Sequence, residues 1–291
     1  MSAPVFDPVA VAEVLRRWLS SRLNAAAVSW LEDRLDTVAA GDRKALYLAF
    51  GLTVRKTGKA DLEPTAAELA DSANVRPGWN PRGWTVDQAA RVLLVLRYPA
   101  EDEQQFVETL DQLFAAGEVH ELVALYQGLP LYPHQEALAL RCAEGQRTNI
   151  QPVFRAIAHR NAFPSEQLND DQWNQLILKC QFVGASLDPV VGLDQRCNAK
   201  LAKMLDDFAH ERWAAHRPVS PELWRCVAPF ADDAMLADLQ KVLTTGTEVE
   251  RAAAALALKT CPHPQAKTLL AAHPTSGVEW TWGQVASEIL R

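Results

Sequence analysis

Residues 247–273 read TEVERAAAALALKTCPHPQAKTLLAAH. From Arg251 to Lys259 the run is nearly all alanine and leucine, without the alternation of apolar and polar residues that a half-buried strand requires. It reads as a helix whose small side chains let another backbone come close. The prolines of CPHP, Pro262 and Pro264, then break it, because proline removes an N–H from the ladder. A second helix starts just beyond, so the segment is a helix hairpin, and it sets the pattern for the rest of the chain.

Working outward, the same punctuation recurs. Helical spacing predicts helices over 101–116, 118–128, 133–144, 150–161, 168–183, 197–215, 220–229 and 232–245, and 247–260, 263–272 and 277–291 complete the series. Gly117, Gly128, Pro130, Pro133, Gly145, Pro164, Gly184, Gly192, Pro218, Gly246, Pro262 and Pro274 fall in the joints. Helices of about 10–16 residues joined by short turns imply antiparallel hairpins stacked side by side. No signature recurs at a fixed period. The expectation is an all-α protein, an irregular α-solenoid with a HEAT-like look, forming a single domain over 1–291.

The N-terminal part fits that reading. Asp7 followed by Pro8 marks a helix start, with Val11, Val14, Leu15, Trp18 and Leu19 on one face. Val28, Leu31, Leu35 and Val38 carry the next stripe, and Asp42 can cap a helix bearing Leu46, Phe50 and Val54. These N-terminal helices occupy 1–75. A Pro/Gly/Trp loop at 76–84 interrupts them, because Pro77, Gly78, Pro81 and Gly83 leave little room for helix. Thr85 with Gln88 then forms a capping box for a helix with Ala89, Val92, Leu93 and Leu96, which opens the helical array of 85–291. Trp79 and Trp84 in the loop can either contact a ligand or partner or plug the side of a helix layer.

Composition narrows the function classes. Of 291 residues, 48% are hydrophobic and 22% charged, which suits a folded globular chain. The net charge of −7 argues against nonspecific nucleic-acid binding, which needs clustered cations to displace phosphate counterions. No run approaches the roughly 20 apolar residues of a membrane helix, so no direct membrane insertion is expected. The start, MSAPVFDPVAVAEVLRRWLSS, lacks a basic stretch, an apolar core and a cleavage site, so a cytoplasmic location is expected. The five cysteines (142, 180, 197, 226 and 261) are scattered without a CxxC pair and read as buried thiols in a reducing compartment. Cys261 and His263 alone do not make a zinc site.

The residues that call for an explanation lie in Trp173–Phe230, WNQLILKCQFVGASLDPVVGLDQRCNAKLAKMLDDFAHERWAAHRPVSPELWRCVAPF. Lys179 sits in an apolar run, so it must snorkel or meet an acid, and no carbonyl chemistry supports a Schiff-base role. On the helix 198–215 the spacing predicts a buried stripe of Leu201, Met204, Leu205 and Phe208, with Arg212 aimed at the core and His210 outside with Lys203, Asp206 and Asp207. A core-facing arginine needs a carboxylate. Asp194 in the GLDQR turn is its natural partner, with Glu211 and Asp188 in reserve. The pair would either lock the turn onto the helix or mark a site. His210, beside Asp206, reads either as a surface histidine or as an acid–base group. The run DDFAHE superficially resembles an aspartate-rich magnesium motif, with Asp170 and Asp171 as a second set. Its carboxylates fall on the solvated side, so no metal and no cofactor is expected. Trp213 and Trp224 would form a groove beside Arg212 and Arg225. GxGxxG, GxxxxGK[ST], GxSxG and HExxH are all absent.

In combination, LILKCQF, GLDQRCN, DFAHERWAA, PELWR and VAPF resemble the pattern of the EboA family, and RPGWNPRGWTVDQAARVLLVL is compatible with its N-terminal half. Cys180 and Cys197 stand where small alanine-like residues are the pattern. The resemblance implies a gene-cluster accessory whose neighbours include a UbiA-type membrane prenyltransferase, a TatD-like hydrolase and a sugar-phosphate cyclase. In cyanobacteria such clusters are linked to moving a pigment precursor from cytoplasm to periplasm. The implied role is a non-catalytic scaffold for synthesis or traffic of a small prenylated metabolite. The alternative is an enzyme or carrier holding an isoprenoid-like ligand near Arg212, His210 and Trp213. The family supplies no catalytic residue, so Lys179, Asp194, Arg196, His210, Arg212, Trp213 and Arg225 stand as binding candidates only.

Overall fold

The computed structural model describes residues 6–273 and 279–289. The Pro274 joint, the first five residues of the N-terminal reading, and positions 277–278 and 290–291 of the last expected helix lie outside the described residues. The described chain is all-helical, as its periodicity requires. Among the described residues the nearest approach to sheet is an isolated antiparallel bridge between Asp61 and Thr85. No helix among the described residues is long and apolar enough to cross a membrane.

The chain divides into two compact units, Met1–Leu168 and Asn169–Arg291. The first contains α1 (Pro8–Arg22), α2 (Ala25–Ala39), α3 (Arg43–Thr57), α4 (Ala66–Val75), α5 (Val86–Arg97), α6 (Glu103–Ala116), α7 (Val119–Gly128), α8 (Gln135–Gly145), α9 (Gln151–Ala158) and α10 (Phe163–Gln167). The caps are those the sequence advertises. Asp7 accepts from Val9 N at 2.9 Å, Asp42 from Ala45 N at 3.0 Å, and Gln88 from Thr85 N at 3.0 Å, each satisfying a donor that a helix start leaves open.

Within this unit α5 packs against α1, α2, α3 and α7. It is therefore buried nearly all round, and even Arg91 is fully enclosed. That charge is tolerable because Arg91 pairs with Asp87 one turn earlier and donates from Nε to Phe50 O at 3.1 Å. Arg76 is handled the same way: Nη2 meets Glu166 at 2.5 Å, Nε meets Pro130 O at 2.8 Å.

The 76–84 loop turns out to be a plug. Trp79 and Trp84 are buried, Trp79 stacks on Trp18 with ring centroids 5.5 Å apart, and Trp84 tilts against Trp79 at 6.4 Å. Gly128 and Gly145 do more than end their helices. A Cβ on Gly128 would lie 2.1 Å from the Tyr132 hydroxyl, and one on Gly145 would lie 2.3 Å from the Tyr126 hydroxyl. These positions are empty so that aromatic rings can fill them.

The second unit contains α11 (Asp170–Val183), α12 (Leu193–Arg196), α13 (Ala199–Ala214), α14 (Trp224–Val227), α15 (Asp233–Thr245), α16 (Glu248–Leu258), α17 (Ala266–Ala272) and α18 (Trp282–Ile289). Here α16, the alanine-rich helix, packs against α14, α15, α17 and α18. Ala252, Ala253, Ala254, Ala255 and Ala257 are all buried. Small side chains on several faces are what allow so many neighbours to approach one short helix. The expected helix at 220–229 resolves into a single α-turn, α14, between 3-10 turns at Pro221–Leu223 and Ala228–Phe230. Pro221 and Pro229 account for this, since neither can donate to a continuous helical ladder.

Candidate functional site

The candidate residues all lie in the second unit, where the turn after α11 brings several of them together. Gly184, at φ 68°, ends α11 in the left-handed conformation glycine adopts without penalty. The turn beyond is anchored by Glu222, which is 2% exposed. Its carboxylate accepts from Ser186 Oγ at 2.8 Å, Leu187 N at 3.1 Å and Asp188 N at 2.8 Å. Burial raises the Glu222 pKa, and these three donors oppose the rise. A cleft beside it, lined by Cys180, Gln181, Ser186, Ser220 and Glu222, offers about 40 Å³, room for a water molecule or two.

Asp188 and Asp194 converge on Arg225 of α14. Arg225 Nε and Nη2 each donate to Asp194 at 2.7 Å, and Nη1 reaches Asp188 at 3.3 Å. The guanidinium lies 5.5 Å from the Trp282 ring centroid. Just behind, the buried Cys226 thiol hydrogen-bonds to Cys197, which together with burial pushes its pKa well up. Cys226 is therefore a poor nucleophile.

This geometry corrects the expected Arg212–Asp194 pair. Asp194 belongs to Arg225, and Arg212 donates instead from Nε to Pro218 O at 2.9 Å. Arg212 is half-buried, not core-facing. Periodicity fixes the direction in which a side chain leaves its helix. It does not say whether a neighbour is still there, and residues 214–218, just beyond Arg212, are exposed.

The buried stripe of α13 also differs from expectation. Leu201, Ala202, Leu205, Asp206 and Ala209 are buried, whereas Met204 and Phe208 are only half-buried. Ala202 and Ala209 shift the covered face toward Asp206, which was expected in solvent. His210 is exposed as expected, with Nε2 2.8 Å from Asp238 Oδ2 of α15. Trp213 stands edge-on to His210 at 5.5 Å and stacks on the buried Trp224 at 5.8 Å, with Lys241 Nζ 3.8 Å above its ring.

Arg196 pairs with Asp170 at 2.9 Å and lies over Trp173, 5.1 Å from its centroid. Lys179 is half-buried on α11, and burial lowers its pKa. The helix is less enclosed than its composition suggested, because Phe182 is 78% exposed. His263 meets Asp233 at 3.1 Å. Glu222 and Asp238 were not singled out from the sequence. The PEL of PELWR, an acid beside a proline in an apolar setting, is the signal that could have found Glu222. Asp238 sits in an ordinary amphipathic helix and gave none.

The fold and this site define a class: an all-helical protein whose charged side chains are largely held in ion pairs and caps between short helices. The chain belongs to the EboA family. The family described as metabolite traffic protein EboA matches residues 11–228, from within α1 through α14. No curated protein and no solved structure matches the chain.

Proposed function

We propose that this protein is a non-catalytic accessory of metabolite traffic. The reading is supported most directly by Arg225, whose charge is matched by Asp188 and Asp194 in a two-sided ion pair. Arg196 on Asp170 and Arg212 on a carbonyl follow suit. Charges so engaged hold helices in place and are not poised to attack or protonate a substrate. The family's description as a metabolite traffic protein supports the same direction.

In this reading the helix hairpins stack as an irregular, HEAT-like α-solenoid on the cytoplasmic side of the membrane. The array presents an extended surface to proteins of the same gene cluster, among them a UbiA-type membrane prenyltransferase, and so assists traffic of a small prenylated metabolite. The alternative, a carrier for an isoprenoid-like ligand, is favoured by one observation, the half-buried Trp213 between His210 and Lys241. The cleft at Glu222 is too small for such a chain.

Affinity purification from the native host in mild detergent, with proteins and extracted small molecules identified by mass spectrometry, separates the two. Recovery of the prenyltransferase without a small molecule supports the scaffold. A discrete lipid-like molecule that disappears with Trp213→Ala replaces it with the carrier.

A further inference from the structure

Helices α13 and α15 bring three metal-ligating side chains to one point. Asp206 and His210 are four residues apart on α13 and so share a face, while Asp238 comes from α15. One donor atom from each lies within 4.8 Å of the other two. His210 Nε2 is 2.8 Å from Asp238 Oδ2 and 4.0 Å from Asp206 Oδ1. The Asp206 side chain is 5% exposed and that of His210 56%. The cluster is thus closed at its floor and open at its rim.

The floor carries an unmet demand. Asp206 Oδ1 is buried without a hydrogen-bond partner, a costly state for a carboxylate oxygen. The 4.0 Å gap to His210 is too long for a hydrogen bond. The nearby cation does not fill the need: Lys203 Nζ sits 2.6 Å from Asp207 and only 3.8 Å from the other oxygen of Asp206. A small cation between Asp206 Oδ1, His210 Nε2 and Asp238 Oδ2 would satisfy all three.

We propose that Asp206, His210 and Asp238 bind one divalent transition-metal ion of the zinc, manganese, iron(II) or cobalt class. An imidazole nitrogen with two carboxylate oxygens suits these ions, whereas magnesium and calcium favour oxygen alone. Donors bound to one ion at about 2.0–2.2 Å stand roughly 3–3.5 Å apart. His210 and Asp238, at 2.8 Å, are already close to that spacing, and Asp206, 4.0 Å from His210 and within 4.8 Å of Asp238, reaches it by moving inward. Two carboxylates and a divalent ion sum to zero charge, which removes the penalty on a buried anion. Ligation through Nε2 places the imidazole proton on Nδ1. Three protein ligands leave the rim position for water or a ligand oxygen, beside Trp213 and Lys241.

The competing occupant is a proton, with His210 as an imidazolium bridging the two aspartates. Cobalt(II) distinguishes them. The full-length chain, without a histidine tag and stripped with chelator, is titrated with Co²⁺, followed by visible absorption and equilibrium dialysis, and then challenged with Zn²⁺. The expected result is one equivalent of Co²⁺ with ligand-field bands that Zn²⁺ abolishes. His210→Ala and Asp238→Asn, both checked for folding by circular dichroism, each weaken binding about tenfold or more. Asp207→Asn, one residue away and exposed, leaves it unchanged. A wild type that develops no bands overturns the proposal, as does Asp207→Asn weakening binding as much as His210→Ala.

Discussion

Arg225 grips Asp194 through two parallel hydrogen bonds, Nε to Oδ1 and Nη2 to Oδ2, both 2.7 Å. The two residues are 31 apart in sequence, and the fork ties the turn that carries α12 onto α14. Asp188, contributed by the same turn, completes the arrangement from the other side. A guanidinium fits a carboxylate in this two-point way and an ammonium does not.

Arg225→Lys should therefore destabilise the protein by about 1–2 kcal/mol, by losing the fork and the packing on Trp282. The cost stays modest because Asp188 and Asp194 are 37% and 57% exposed and can return to water. Urea unfolding followed by circular dichroism measures it. A lysine variant as stable as wild type would mean that the pair is fully solvent-screened.

Glu222 is the more sensitive position. Its carboxylate serves two backbone N–H groups, at the buried Leu187 and at the exposed Asp188, and its removal takes the acceptor from the buried one. Glu222→Ala should cost about 2–3 kcal/mol, from an orphaned buried donor at Leu187 plus a small cavity. Glu222→Gln should cost less, since one acceptor oxygen remains. The ranking of the two variants by thermal melting checks the assignment.

The features legible in the sequence were local ones. Asp7, Asp42 and Thr85 each announce a helix start within a few residues, and the alanine-rich run of 252–257 announces close packing. Interactions that depend on distant partners were not legible. Arg76 meets Glu166 across ninety residues, so nothing near RPGW reveals its partner. Arg91 gave a signal, an aspartate four residues earlier in an otherwise apolar helix, which reads as a buried pair once α5 is known to be surrounded. On α13 the apolar stripe was centred on the large residues Met204 and Phe208, whereas the small Ala202 and Ala209 mark the tightest contact. Small residues allow closer approach, and that misplacement hid Asp206.

Asp206 gives the protein a pH signature. Burial raises its pKa first, and Asp238 and Asp207 add to the rise; His210 and Lys203 oppose it. An acid whose pKa is higher folded than unfolded stabilises the fold below its ordinary value and loses that contribution as pH rises through the raised one. In metal-free buffer, the Asp206 contribution to stability should therefore fall as pH rises from the ordinary aspartate range through that raised value. Asp206→Asn should flatten this slope and be the more stable protein at neutral pH, by about 1 kcal/mol. Melting temperatures of both proteins in chelator, from pH 4 to 8 (roughly the span over which carboxylates and histidines titrate), test it. A wild-type advantage over Asp206→Asn that grows as pH rises would show that Asp206 is stabilised as an anion by a donor.

The last prediction concerns α16, on which α14, α15, α17 and α18 all pack. Ala253 and Ala254 are completely buried on neighbouring faces of a helix with no large side chain between Arg251 and Leu256. Ala254→Leu adds a branched chain where backbones are in contact, and overpacking of this kind costs about 1–3 kcal/mol. Ala254→Gly leaves the space unfilled and costs about 1 kcal/mol, through helix propensity. If close approach is the reason for the alanines, the leucine variant is the less stable of the two and expresses as a less compact protein by size-exclusion chromatography. If instead the alanines serve only as helix formers, leucine, itself a strong helix former, is tolerated and glycine is the worse substitution.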